Sequence, residues 1–136
     1  MQKIEIIQHT ADKGILVQGD TLEELFKAAL KGMARIQKEE PAARADELST
    51  TIQISAPDRT ALLIDFLSEV HTLSDIHNTV FYYTDFKKIS ETNLEAQING
   101  QNVSKFDEDI KAVTHSQADI QTNDEGLLET IVVFDI

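Results

Sequence analysis

Apolar and polar positions alternate over residues 3–9, with Ile4 and Ile6 set against Glu5 and Gln8, and this predicts a strand. The segment His9-Thr10-Ala11-Asp12-Lys13-Gly14 breaks it, Ile15-Leu16-Val17 resumes as a short strand, and Gly19-Asp20 ends that strand. Thr21-Leu22-Glu23-Glu24 then has the form of a capping box. The Thr21 hydroxyl can accept from the third helical N–H while Glu24 reaches back, with Asp20 as a competing cap. Leu22, Leu25, Phe26, Ala29 and Met33 fall on one helical stripe that fades near Gln37. Residues 38–49 are charged, Ala-rich and interrupted by Pro41, and read as a mobile, solvated loop inside one domain.

Thr51-Ile52-Gln53-Ile54 alternates again and predicts a third strand. Pro57-Asp58 opens a second helix whose buried stripe is Leu62, Leu63, Phe66, Leu67, Val70 and Leu73, ending near Ser74. The remainder is strand-rich. Thr79 to Tyr83 is aromatic and β-branched, and Leu94, Ala96 and Ile98 alternate with Glu95 and Gln97. Asn99-Gly100 follows at once as a two-residue hairpin signal. Residues 110–114 and 117–121 are weaker strands, and Asn123 to Gly126 turns the chain into an apolar strand from Leu127 to Phe134. The order β-β-α-β-α-β-β-β-β-β predicts a single α+β domain over residues 1–136. It is a two-layer sandwich with two helices on one face of a mixed or antiparallel sheet.

Charge narrows the function classes. The 136 residues hold 24 Asp and Glu against 12 Lys and Arg, a net charge of −12. Such a field repels phosphate backbones, so direct nucleic-acid binding is not expected. The chain has no Cys, which excludes disulfides, thiolate nucleophiles and Cys-based zinc sites. No apolar leader opens the sequence and no apolar run spans a bilayer, so a cytoplasmic protein without membrane contact is expected. Glycine-rich phosphate loops and the Gly-x-Ser-x-Gly elbow are absent, and His9, His71, His77 and His115 include no i, i+4 pair.

Several residues remain as candidates for chemistry. Asp12 sits in a polar kink between apolar strands. It reads either as a turn residue bonding its own backbone or as a hard-cation ligand for magnesium or calcium. Asp135-Ile136 ends an apolar strand in an acid plus the chain's own carboxylate. That is either a strand that simply stops or two repelling charges that call for a cation. Lys111 is the one cation of Ile110-Lys111-Ala112-Val113-Thr114, after Asp107-Glu108-Asp109. It reads as a solvent-facing strand residue or as a cation serving a phosphate or the acid cluster. Asp65 flanks the second helix's apolar stripe and is not expected to be catalytic. Asp75-Ile76-His77 reads as a polar helix end before it reads as an acid–His pair.

Taken in order, these segments resemble the archease family. The likeness is carried by His9-Thr10-Ala11-Asp12-x-Gly14, Thr21 to Phe26, Leu62 to Glu69, Lys111-Ala112-Val113-Thr114 and the closing Val133-Phe134-Asp135-Ile136. The resemblance covers nearly the full chain, and its two tetrapeptides are specific in combination. It implies a small, acidic, non-enzymatic helper of the RtcB-class RNA ligase of tRNA splicing, promoting guanylylation of the ligase with GTP and its multiple turnover. It further implies one divalent cation, calcium or magnesium, on Asp12, Asp135 and Ile136, with Lys111 and His9 as functional residues. The sequence departs from the family pattern at Gln8, where many members have Asp, at Lys13, where an apolar residue is usual, and at His115-Ser116, where Tyr-His is usual.

Two rival functions use the same residues. One is a metal-dependent phosphohydrolase on the same carboxylates, with Lys111 on the phosphate. The other is a chaperone-like module for RNA-modifying enzymes, working through exposed strand edges or the 38–49 loop.

Overall fold

The computed structural model describes residues 1–8, 12–39 and 47–136. Strands β1 (Gln2–Gln8) and β2 (Asp12–Gly19) lead into helix α1 (Leu22–Gln37). Thr21 is its cap, and its hydroxyl accepts from the Glu24 N–H at 3.1 Å. Strand β3 (Leu48–Ser55) leads to helix α2 (Arg59–His77), capped by Asp58, whose carboxylate accepts from the Ala61 N–H at 2.8 Å. The α2 helix outlasts the expected end at Ser74 and stops where Asn78 turns left-handed at φ 48°. Strands β4 (Thr79–Ile89), β5 (Asn93–Asn102), β6 (Ala112–Thr114), β7 (Gln121–Thr122) and β8 (Leu128–Asp135) complete the chain. Among the described residues, no helix is long and apolar enough to cross a membrane.

The α+β class holds, and the strands divide between two antiparallel sheets. One has the order β1-β2-β8-β6, with β7 also on β8, and the other has the order β3-β5-β4. Both helices touch both sheets: α1 packs on β1, β2 and β4, and α2 on β3, β4 and β6. The shared core centres on Phe26, Phe66 and Phe86, whose ring centroids lie 5.7–6.2 Å apart and tie α1, α2 and β4 together. Aromatic contacts at this spacing add to the burial that already favours them.

Three sequence expectations are corrected. Asn99-Gly100 is not a hairpin turn, because both residues lie inside β5. Gly100 faces a bulge in β4, where Phe81 pairs with Gly100 and Tyr83 with Asn99. A Cβ on Gly100 would stand 2.6 Å from the Val80 carbonyl, so glycine is needed for close approach and not for a turn. The β4–β5 hairpin instead closes over residues 90–92. There the Ser90 hydroxyl accepts from the Asn93 N–H at 3.1 Å and the Ser90 N–H donates to the Asn93 carbonyl at 2.8 Å. Of the expected strand 117–121 only Gln121 is extended, paired through β7 with β8. In its place the chain is stitched to the start of α2, with Arg59 donating to the Ile120 carbonyl at 2.9 Å and Thr60 accepting from the Ile120 N–H at 3.0 Å. The expected loop at 38–49 lies partly outside the described residues, and its end, from Leu48, belongs to β3. The turn at 123–126 is present. The Asn123 side chain accepts from the N–H groups of Glu125 and Leu127, and Gly126 takes φ +82°.

Candidate metal site and the segment beside it

The β2–β8 ladder sets the site. Its register runs from Gly19 opposite Leu128 to Asp12 opposite Asp135, so the first residue of β2 faces the last residue of β8. Cross-strand partners in an antiparallel pair share a face, with Cβ atoms about 4.5–5.5 Å apart. The ladder therefore places two carboxylates side by side. Buried residues on the opposite face, among them Ile15, Val17, Val132 and Phe134, hold the register against slippage, because a one-residue slip would turn the core outward.

Asp12 opens strand β2, and the preceding residues of the kink, 9–11, lie outside the described residues. Asp12 is half-buried, and its Oδ1 is buried with no hydrogen-bond partner among the described residues. An orphaned carboxylate oxygen is costly, and a hydrogen-bond donor or a cation would satisfy it. Asp135 is exposed, while Ile136 is half-buried and packs against the core, which anchors the chain's last described residue next to these acids. Lys13, the neighbouring cation, reaches away to Glu108 at 3.5 Å. All the expected donors are oxygens, the chemistry of a hard cation. Among the described residues no three His, Asp or Glu side chains converge, so the side-chain contribution there is the Asp12–Asp135 pair. His9 lies outside the described residues.

Lys111 lies beside this pair. Its N–H donates to the Asp135 carbonyl at 2.7 Å, and the next residue, Ala112, is the β6 partner of Asp135. Its side chain is exposed and borders an open concavity of ≈ 670 Å³ with Asp75, Asn78, Lys105 and Asp109. The preceding acids are sorted by their partners. Glu108 takes Lys13, and Asp107 takes the Lys38 ammonium at 3.2 Å and the Glu39 N–H at 2.9 Å. These two contacts hold the Asp107 carboxyl below its ordinary value, the Glu39 N–H contributing most.

Asp65 is exposed, as expected of a helix flank. Asp75 pairs with His71, 3.3 Å away, one helical turn earlier. His71 is a residue the sequence reading passed over. It is buried, and its Nε2 lies 2.6 Å from the Ile110 carbonyl. The i, i+4 spacing of His71 and Asp75 on an apolar helix is the signal that could have drawn attention to it. His115 is exposed and borders a different concavity, near Asp58 and Asp119, to which Asp12, Asp135 and Lys111 do not contribute.

The sequence matches the model of the archease protein family over residues 4–136. It is 33% identical over 149 residues to the protein archease of Pyrococcus furiosus, with full coverage of both chains. It is 29% identical over 140 residues to that of Methanosarcina mazei, covering 97% of this chain and 95% of the relative. The solution structure of Methanobacterium thermoautotrophicum protein 1598 superposes with a TM-score of 0.79 at 28% identity over 98% of each chain. The crystal structure of an archease from Thermotoga maritima, described as a possible chaperone, gives a TM-score of 0.65 at 23% identity. It covers 96% of this chain and 94% of that one, a likeness of fold.

Proposed function

The chain belongs to the archease family, and from that premise we propose that it is a metal-binding accessory protein that activates an RtcB-class RNA-splicing ligase. It acts on another enzyme, promoting guanylylation of the ligase with GTP and repeated turnover in tRNA splicing. The observation that carries this reading is the register pairing of Asp12 with Asp135, with a buried Asp12 oxygen lacking a partner among the described residues and the Lys111 N–H bonded to the Asp135 carbonyl.

Asp12, Asp135 and Ile136 would hold one divalent cation, calcium or magnesium. When bound, its charge would offset theirs and would offer phosphate oxygens a Lewis-acidic contact. The rest of the work falls to the chain's own groups. The β2–β8 ladder keeps the acids together at one end of the sheet's two central strands. Lys111 presents an ammonium on the adjoining segment, suited to a phosphate of the nucleotide that the ligase binds. The net charge of −12 suits a partner whose RNA-binding surface is basic, and leaves the RNA itself to that partner. The Thermotoga maritima protein's description as a possible chaperone supports the accessory role in its coarser form.

The test mixes the full chain with a cognate ligase, GTP, manganese and a cleaved RNA substrate, and compares single with multiple turnovers. Stimulation of guanylylation and of turnover, lost in Asp12→Ala, supports the proposal. Phosphate release by the chain alone would replace it with a phosphohydrolase. Protection of the ligase against inactivation, with no effect on guanylylation, would replace it with a general chaperone.

A further inference from the structure

One peptide group next to the site is gripped at both of its polar ends. The C=O of the Ile110–Lys111 peptide lies 2.6 Å from His71 Nε2 on α2, and its N–H lies 2.7 Å from the Asp135 carbonyl on β8. In a trans peptide these two groups point in opposite directions. Helix and strand therefore hold the same plane from either side. The Ile110 side chain is 5% exposed within the core, which restrains the plane against sliding as well as rotation. The Lys111 Cα is an atom of that plane, so the plane fixes the point from which its side chain departs, and the pairing of Ala112 with Asp135 restrains the backbone on its other side.

The protonation of His71 follows from its neighbours. Nε2 faces the Ile110 carbonyl and, at 3.3 Å, an Asp75 carboxylate oxygen. Both only accept, so Nε2 carries the hydrogen and donates. The ring is 8% exposed, and the Ile110 carbonyl would lose a buried partner if this donor were removed.

We propose that His71 is a positioning residue: by holding the Ile110–Lys111 peptide against Asp135, it fixes where the Lys111 ammonium stands relative to the Asp12–Asp135 carboxylates. The inference rests on the reading of Lys111 as a working cation. Asp75, with a carboxylate oxygen 3.3 Å from the same nitrogen, favours a hydrogen on it electrostatically. Lys111 is otherwise an exposed, four-carbon arm, and a loose backbone beneath it would spread its ammonium over many positions.

The experiment uses the full chain, ¹⁵N-labelled, with hydrogen exchange read at the Lys111 amide and ligase activation measured in parallel. His71→Phe keeps the ring and removes the donor. Exchange at Lys111 should quicken about tenfold or more, and activation should fall by about tenfold, the scale of losing a supporting hydrogen bond next to a site. His71→Gln, whose amide can donate at the same reach, should restore much of both. In the Lys111→Ala background, His71→Phe should add no further loss of activation, because both changes act through one ammonium. Unchanged exchange at Lys111 in His71→Phe overturns the proposal, and so does a loss that multiplies with that of Lys111→Ala. Normal activation by Lys111→Ala alone would remove Lys111 from the proposed function, while amide exchange still decides whether His71 holds the peptide. Should His71→Phe fail to fold, His71→Asn, too short to reach the carbonyl, replaces it against the same His71→Gln control.

Discussion

Two carboxylates that face each other across a strand pair repel, and among the described residues no ion pair is formed by Asp12 or Asp135, while Lys13 is engaged by Glu108. The repulsion gives the proposed site a test with a sign. Without divalent ions, Asp135→Asn removes one like charge and should raise stability by about 0.2–1 kcal/mol, the size of a cross-strand pair. With saturating calcium or magnesium the order should reverse, because the variant forfeits the ion. Thermal melts with and without chelator read both arms, and a variant more stable in both conditions would remove the cation from this site. Asp12→Ala and Asp135→Ala should each abolish tight divalent binding by calorimetry, and the double variant should lose no more than either. Lys111→Ala, at an exposed side chain, should change folding by no more than about 0.5 kcal/mol yet reduce ligase activation strongly. Asp12, Asp135 and Lys111 were all legible as acids and a cation in unusual places. What the sequence lacks is the register that makes Asp12 and Asp135 neighbours, because pairing across 123 positions leaves no local pattern. His71 was legible only through its i, i+4 spacing from Asp75, because its other partner is a backbone carbonyl, which any residue at position 110 would supply.

At the scale of elements, local chemistry predicted well wherever a side chain caps or turns the chain, and failed wherever a neighbouring strand decides. The Thr21 cap sits where the capping box placed it, and Thr21→Ala should cost about 1 kcal/mol in chemical denaturation. Asn99-Gly100 has the composition of a hairpin, yet the β4 bulge presses the Val80 carbonyl against Gly100 and claims the glycine for packing. Gly100→Ala should therefore destabilise by about 1–3 kcal/mol in chemical denaturation, as overpacking does. The end of α1 offers a pH test. Asp107 accepts from the Glu39 N–H and the Lys38 ammonium, and its carboxyl is held below the ordinary 3.8. A depressed folded-state value means the carboxylate's contribution is complete above pH 3.8 and is lost as pH falls through the lower, folded value. Wild type and Asp107→Asn should thus differ by a constant amount from neutral pH down to mild acid and converge only in strong acid. A difference that instead closes between pH 5 and pH 7 would show that another group controls this helix end.

For the whole molecule, the charge of −12 and the position of the site make one physical argument. The acids that would hold the ion lie at the ends of two central strands that the core fixes from behind, so a partner must come to them. A long-range negative field does not select one contact, but it raises the rate at which a basic surface finds this chain. Steering of this kind acts before contact and is screened over roughly 8 Å at physiological ionic strength. Close contacts, by contrast, set how long the complex lasts. Raising salt from about 0.05 to about 0.5 M should therefore slow association with the ligase by about tenfold or more while leaving dissociation nearly unchanged. Lys111→Ala should behave in the opposite way. It removes one charge out of many, so the salt slope of association should stay as it is while guanylylation of the bound ligase falls. Stopped-flow association across a salt series, run beside guanylylation at saturating protein, separates the two. An association rate indifferent to salt would mean that the acidic surface does not face the ligase. In that case the carboxylates at the ends of β2 and β8 could not be the part of the molecule that reaches the nucleotide.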